Sequence, residues 1–378
     1  MTTDKQRDVT NVASSNFFAT FISVETASGL ILVLATICAL AWANSPWSGS
    51  YQALWHSPSV HFLVNDMLMT LFFLIVGLEI RREVSEGALS SLSAAALPLA
   101  GALGGVVAPA AIYLLVNTDP AAREGWAIPT ATDIAFAVGV LALLGKRVDP
   151  ALRAFLLALA IADDVAAILI IAFFYSGGIS VLGLGLAAIG LAGLLLLRRF
   201  RVRHVTAYLA AGLVLWLGLL TASVHPVLAG VLVGMFMPDP PANTLEHRIH
   251  PWVAYGAMPL FALANAGISL TGLDVQSDAS LLLVAGIVLG LVVGKPAGIV
   301  AATAIAVRLG WCRLPTGVTW SGIFLIGLFA GIGFTMSIFI ATLAFPEPAM
   351  LAAAKFGVLA GSVVAAVLAL AVGRAISR

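Results

Sequence analysis

Residues 158–171 read ALAIADDVAAILII, and Asp163 and Asp164 lie side by side within an apolar run that reaches from Pro150 to Phe174. A run of that length crosses the roughly 30 Å hydrocarbon layer as a helix, which needs about 20 apolar residues. A carboxylate at the centre of such a helix costs about 2.5–3.5 kcal/mol on insertion scales, so two in a row require a cavity, a counter-charge or a proton. Nothing nearby in sequence supplies any of these.

The same apolar pattern recurs along the whole chain. Of its 378 residues 61% are hydrophobic and only 10% charged, with a formal net charge of +1, where soluble domains carry about 25% charged residues. Twelve apolar runs stand out, over 16–43, 60–80, 93–116, 125–144, 151–174, 179–197, 205–220, 224–237, 252–271, 280–307, 317–344 and 350–373. They predict an all-α polytopic membrane protein whose solvent is the lipid bilayer. The linkers are brief, so residues 1–378 are expected to form a single integral domain. Ala41-Trp42-Ala43 imitates a signal-peptidase site, but the length of the first run and its Glu25 predict that it is retained. Cys38 and Cys312 are too far apart in sequence to suggest a disulfide framework or a metal motif.

Basic residues alternate between loops. Lys5, Arg7, Arg81, Arg82, Lys146, Arg147, Arg153, Arg198, Arg199, Arg201, Arg203, Arg248, Arg308, Arg313, Arg374 and Arg378 fall on one side, and Arg123 alone on the other. Short cytoplasmic loops are enriched in Lys and Arg, so both termini are expected in the cytoplasm and even-numbered helices run inward.

The ionisable residues inside the runs are Asp66, Glu79, Asp133, Asp163, Asp164 and Lys295, with Glu25 and Lys355 nearer the ends. Glu79 also lies near an end, and Lys355 is expected to snorkel to the outer surface. Adjacent helix residues project about 100° apart, so one aspartate can face a cation while the other faces a counter-charge. Lys295, in LVVGKPAGIV (291–300), is the one basic residue near mid-depth and is the natural counter-charge. Coupled buried acids with oxygen ligands suit a hard alkali ion, which favours the deprotonated pair and is expelled by protonation.

Two runs carry interruptions. In GWAIPTATDIAFAVG (125–139), Pro129 disfavours helix before itself, and Thr130, Thr132 and Asp133 can bond backbone groups locally. In FAGIGFTMSIF (329–339), Gly331, Gly333, Thr335 and Ser337 loosen the ladder in the same way. Both predict broken helices. Crossing them at their breaks brings two helix N-termini and two C-termini together, and Asp133 and Lys295 have the right signs to offset the half-dipoles.

The motifs GWAIPTATDIAFAVGVLALLG (125–145), ALAIADDVAAILIIAFFY (158–175), FFLIVGLEIRREV (72–84), HPWVAYGAMPLFALANAG (250–267) and GIGFTMSIFIATLAF (331–345) closely resemble the NhaA-type sodium/proton antiporters of bacteria. The resemblance runs through nearly the whole chain. It implies twelve transmembrane helices with inverted repeats (helices 3–5 and 10–12), and broken helices 4 and 11 crossing at mid-membrane. It also implies alternating access, in the bacterial inner membrane, with one sodium or lithium exchanged for two protons. Asp163 and Asp164 would bind sodium or lithium and protons, Thr132 and Asp133 would line the broken fourth helix, and Lys295 would pair with Asp163 or stabilise the crossing. Asp66 matches an acid of the second helix with a less settled role.

Alkaline activation is a further implication, and the corresponding cluster would be Glu79, Arg82, Glu83, Glu246, His247 and His250. Glu79, Arg82 and Glu83 share one helix face, which a solvated salt-bridged helix end explains equally well. His225, in TASVHPVLAG (221–230), matches another position linked to pH response, with a polar helix start as the alternative. The stretch SPWSGSYQALWHSPS (45–59) resembles the place where the family makes a β-hairpin that pairs across a homodimer. Trp47, Tyr51 and Trp55 read equally well as interfacial aromatic anchors. No cofactor, enzyme activity or nucleic-acid partner is expected, and Gly331-Ile332-Gly333 lacks the setting of a nucleotide fingerprint. Adjacent aspartates on one helix cannot form the shared-proton dyad of an intramembrane protease. A retinal pigment fits twelve runs and two breaks poorly. A passive cation channel would share the acids and unwound backbone.

Overall fold

Lipid offers no hydrogen bonds, so every buried backbone group must be satisfied inside the chain, and among the described residues helices do most of this. The computed structural model describes residues 27–87, 89–145, 148–177, 180–270 and 278–376, with no strand among them. Lys5, Arg7, Glu25, Lys146, Arg147 and Arg378 lie outside the described residues, as does the start of the first run.

The helices are α1 (Ala27–Ala43), α2 (Ser48–Trp55), α3 (Pro58–Ser85), α4 (Leu92–Val116), α5 (Pro120–Thr130), α6 (Ile134–Ala142), α7 (Pro150–Phe174), α8 (Val181–Arg199), α9 (Val205–Thr221) and α10 (Val227–Phe236). They continue with α11 (241–265), α12 (Ala279–Arg308), α13 (Trp320–Ala330), α14 (Phe334–Ala344) and α15 (Pro348–Ile376). Among the described residues every apolar run of the sequence contains helix. Among the described residues six helices are individually long and apolar enough to cross a bilayer, and up to nine spans qualify if each bent pair counts as one. The run expected to begin at 252 is instead the second half of α11, which starts at Pro241. The starts are written locally. Asp119, Asp149, Ser180 and Thr319 each accept a backbone N–H of the first helical turn, which satisfies donors that a helix start leaves open.

Two helices widen by a residue just before a proline. Met258 N–H reaches Val253 and Lys295 N–H reaches Gly290, each five residues back. Pro259 and Pro296 have no N–H and crowd the carbonyl four residues earlier, so a wide turn at that point relieves the clash. Elsewhere small residues set the spacing. A Cβ on Gly298 of α12 would sit 2.6 Å from Ala108 Cβ of α4, and one on Gly77 of α3 would sit 2.9 Å from Val231 Cα of α10. Only glycine permits these backbones to approach so closely.

Residues 45–58 depart from one of the two readings the sequence left open. Ser48–Trp55 is a helix, bent 117° from α1, and no hairpin forms. The reason is Tyr51. Its buried hydroxyl donates toward the carbonyls of Leu263 (2.8 Å) and Ala264 (3.0 Å) and accepts Gly267 N–H (3.1 Å), which anchors one face of α2 on the end of α11. Trp47 is left 75% exposed, as an interfacial anchor would be.

Candidate functional site

The two interruptions read from sequence are real bends, 48° between α5 and α6 and 49° between α13 and α14. The unwound residues meet. Asp133 N–H donates to the Ile332 carbonyl (2.8 Å) and Ser337 Oγ to the Ile128 carbonyl (2.7 Å). Asp133 then serves two helix N-termini at once. Its Oδ1 accepts Phe136 N–H of α6 (2.9 Å), and its Oδ2 accepts Thr335 N–H of α14 (3.0 Å) together with the Thr335 hydroxyl. The two C-termini receive donors. Lys295 Nζ bonds the Thr130 carbonyl that ends α5, and Thr132 Oγ1 lies 2.9 Å from the Ala330 carbonyl that ends α13. Negative charge at the starts and positive or donor groups at the ends offset each half-helix dipole.

The aspartate pair sits against this crossing. Asp163 and Lys295 are both buried and form an ion pair of 2.5 Å through Asp163 Oδ2, which also lies 2.6 Å from Thr132 Oγ1. Asp163 Oδ1 has no hydrogen-bond partner among the described residues. The wide turn of 290–294 ends immediately before Lys295 and sets the position from which its side chain reaches the crossing.

Asp164 projects differently, as the helical angle requires. It lines a cavity with Glu79, Thr132, Asp133, Thr335 and His250, which holds about 50 Å³ of space open to water. One water needs roughly 10–15 Å³, so the cavity has room for a small hydrated ion's partners beside the acids. No described residue hydrogen-bonds the Asp164 carboxyl. The cavity therefore joins two groups of residues that sequence reasoning treated separately, the Asp pair and the Glu79–His250 end.

At that end Arg82 and Glu246 form an ion pair, and His250 Nε2 stands 4.0 Å from Glu79 Oε1. Burial pushes the Glu246 carboxyl above the usual carboxylate range, against the opposing pull of Arg82, His247, His250 and Arg81. Three members of the clamp, Arg81, Asp239 and Asn243, were not read into this cluster from sequence. Arg81 bonds Asp239 and reaches Asn243 Oδ1 at 3.0 Å, tying the end of α3 to the start of α11. His247 lies on the exposed side of α11, with Nδ1 2.7 Å from the Asn243 carbonyl. Glu83 follows Arg82 on α3 and lies close to Gly87.

His225 lies apart from this cluster and packs its ring edge-on to Phe339, centroids 6.1 Å apart. Asp66 sits in a wide turn of α3, Leu63–Leu68, and its carbonyl accepts the Thr70 hydroxyl at 2.6 Å. Lys355 corrects an expectation. It is only partly exposed and turns toward Asn265 Oδ1 (3.5 Å) instead of the surface, because a buried amide oxygen lies within its reach. Thr335 was noted from sequence only as a helix loosener, although a hydroxyl two residues beyond Gly333 could have been read as a partner for the acid of the other break.

The model of the Na+/H+ antiporter 1 family matches residues 19–372. Similar proteins include a Na(+)/H(+) antiporter NhaA of Acidovorax sp. (strain JS42), 53% identical over 92% of this chain and 89% of its own length. Another is a Na(+)/H(+) antiporter NhaA 2 of Sorangium cellulosum (strain So ce56), 49% identical over 95% and 89%. A third, from Janthinobacterium sp. (strain Marseille), is named Na(+)/H(+) antiporter NhaA and is 48% identical over 93% and 91%.

Proposed function

The chain belongs to the Na+/H+ antiporter 1 family and is a multi-pass bacterial membrane protein; from that premise we propose that it exchanges sodium or lithium for protons at Asp163 and Asp164. The observation that carries the reading is the pairing of Asp164, open to the cavity without a hydrogen bond from any described residue, with Asp163 Oδ1, buried and unpartnered beside it. Two carboxylate oxygens with an adjacent hydroxyl, Thr132 Oγ1, make a hard-oxygen set for an alkali cation.

The exchange follows from charge. With both acids ionised, Lys295 balances one charge and the second is left for the cation. Protons arriving at the coupled pair remove the charge that holds the cation, and the two acids titrate as a unit. Two protons per sodium makes the cycle electrogenic. Because each cargo evicts the other, the protein changes orientation only when one of them neutralises the site, which is the condition for coupled exchange by alternating access.

The chain would cross the membrane twelve times, with helices 3–5 and 10–12 as inverted repeats and both termini in the cytoplasm. The cavity end at Glu79 and His250 would then face the cytoplasm. Glu246 supports a pH response there. Its carboxyl sits above the ordinary carboxylate range, so as pH rises through that raised value its charge forms on α11, whose His250, Val253, Ala254 and Met258 line the cavity. Loosening of that helix would widen the path to Asp164. His225 and Glu83 are assigned only to the surroundings of this response. The exposed Trp47 side of α2, within 45–58, is the surface proposed for a homodimer.

The test is exchange in proteoliposomes against pH, with Asp163→Asn and Asp164→Asn beside the unaltered protein. Sodium gradients should drive proton movement in the unaltered protein alone. Exchange that persists in Asp164→Asn would end this reading.

A further inference from the structure

Beyond the cavity, the helices that line it carry two successive layers. Residues Val76 of α3, Met258 of α11 and Met336 of α14 belong to the cavity lining. Three residues further along each helix, away from the Glu246 end, stand Phe73, Phe261 and Phe339. Phe339 meets Phe73 at 5.6 Å and Phe261 at 6.2 Å between ring centroids, and all three rings are fully buried. This aromatic layer stands one step beyond the cavity lining on all three helices.

The next layer is polar. Asn265 lies one turn beyond Phe261 on α11, and its Nδ2 donates to Asn65 Oδ1 of α3 at 2.9 Å. Asn65 Nδ2 donates to the His61 carbonyl at 3.2 Å, and Lys355 of α15 donates to Asn265 Oδ1 at 3.5 Å. Asn65 and Asn265 are 7% and 4% exposed. Three helices thus turn amides and an ammonium toward one another inside an apolar bundle. No acidic side chain pairs with Lys355 among the described residues, and the single bond it makes is long. A structural network gains little from a charge held this way, since a buried cation without an anion costs stability.

We propose that Lys355, positioned by Asn265 and Asn65, is the charge that governs cation discharge on the outer side, in the passage that opens when the Phe73–Phe261–Phe339 layer parts. This rests on the exchange reading above. A fixed positive charge in that passage raises the free energy of a sodium ion there. It favours release outward and weakens return binding from the outer face, while the inner face, behind the aromatic layer, is unaffected. Lys355 is thus a positioning charge for one side of the cycle and takes no part in binding at Asp164.

The test measures sodium half-saturation separately on each face, using everted and right-side-out vesicles from a host without its own sodium/proton antiporters. Proton movement is read with a pH-sensitive dye. Lys355→Met should lower the outer half-saturation by about threefold or more, because removing a like charge from the passage lowers the free energy of a sodium ion there. The inner value should stay within about twofold, and Lys355→Arg should resemble the unaltered protein on both faces. If Lys355→Met does not reach the membrane, Asn265→Asp, which places a carboxylate within reach of the ammonium, should lower the outer value in the same direction. Equal shifts on both faces, or none on the outer face, would overturn the inference while leaving the exchange reading intact. Failure of the unaltered protein to exchange would instead overturn that reading.

Discussion

Replacing Lys295 with Met leaves Asp163 in a site built for an ion pair. Both partners of the pair are buried, and the ammonium contributes the bond to Asp163 Oδ2 and a second bond to the Thr130 carbonyl. After the change Asp163 retains only the Thr132 hydroxyl at 2.6 Å, which is shared with the Ala330 carbonyl. Removing one member of a buried pair costs about 3–5 kcal/mol, because the remaining charge is uncompensated. Asp163→Asn combined with Lys295→Met removes both charges and should recover at least half of that loss. The assay is denaturant unfolding in detergent for the unaltered protein, the two single variants and the double, arranged as a double-mutant cycle. The expected coupling is about 2 kcal/mol or more. If the double variant is as unstable as the sum of the singles, the ion pair is not what holds the crossing in register and the reasoning from charge fails.

Three further outcomes follow from the same contacts. Asp133→Ala strips both helix starts at the crossing and should cost about 3–5 kcal/mol, whereas Asp133→Asn keeps an acceptor and should cost roughly half as much by the same unfolding assay. For Glu246 the folded carboxyl sits above its ordinary range, so the folded state holds the proton more tightly. Its contribution is present below the ordinary carboxylate range and is lost as pH rises through the raised value. The melting-temperature advantage over Glu246→Gln should therefore shrink as pH rises above the ordinary carboxylate range, and a constant difference would refute the assignment. Gly298→Val drives a side chain into Gly104 and Ala108 of α4. It should destabilise by about 1–3 kcal/mol or more in unfolding experiments, while Ala297→Val, at an exposed neighbouring position, should not.

Much of the site was legible because lipid makes polar residues conspicuous. Asp163, Asp164, Asp133 and Lys295 stand out in apolar runs, and the about 100° step between neighbours on a helix already separates the roles of the two aspartates. Pro129 and the glycines at 331 and 333 mark the breaks. What sequence could not supply was direction across the bundle. That one carboxylate, Asp133, caps two helices depends on the crossing angle. Arg81 looked like an ordinary cytoplasmic cation until its partner, Asp239, was brought to it from another helix end. Lys355 was read as snorkelling because only its depth is visible in sequence, whereas the Asn265 amide it reaches lies 90 residues away. The β-hairpin reading of 45–58 failed for a related reason, since the helix there is fixed by one tyrosine hydroxyl seated on a distant helix end.

Sodium-dependent proton release from the purified protein addresses the shared site most directly. Adding sodium to lightly buffered protein near its working pH should liberate protons in the unaltered chain, in proportion to sodium bound, and Asp164→Asn should release markedly fewer. Sodium binding that frees no protons, or release that is undiminished in Asp164→Asn, would contradict competition for the same carboxylates.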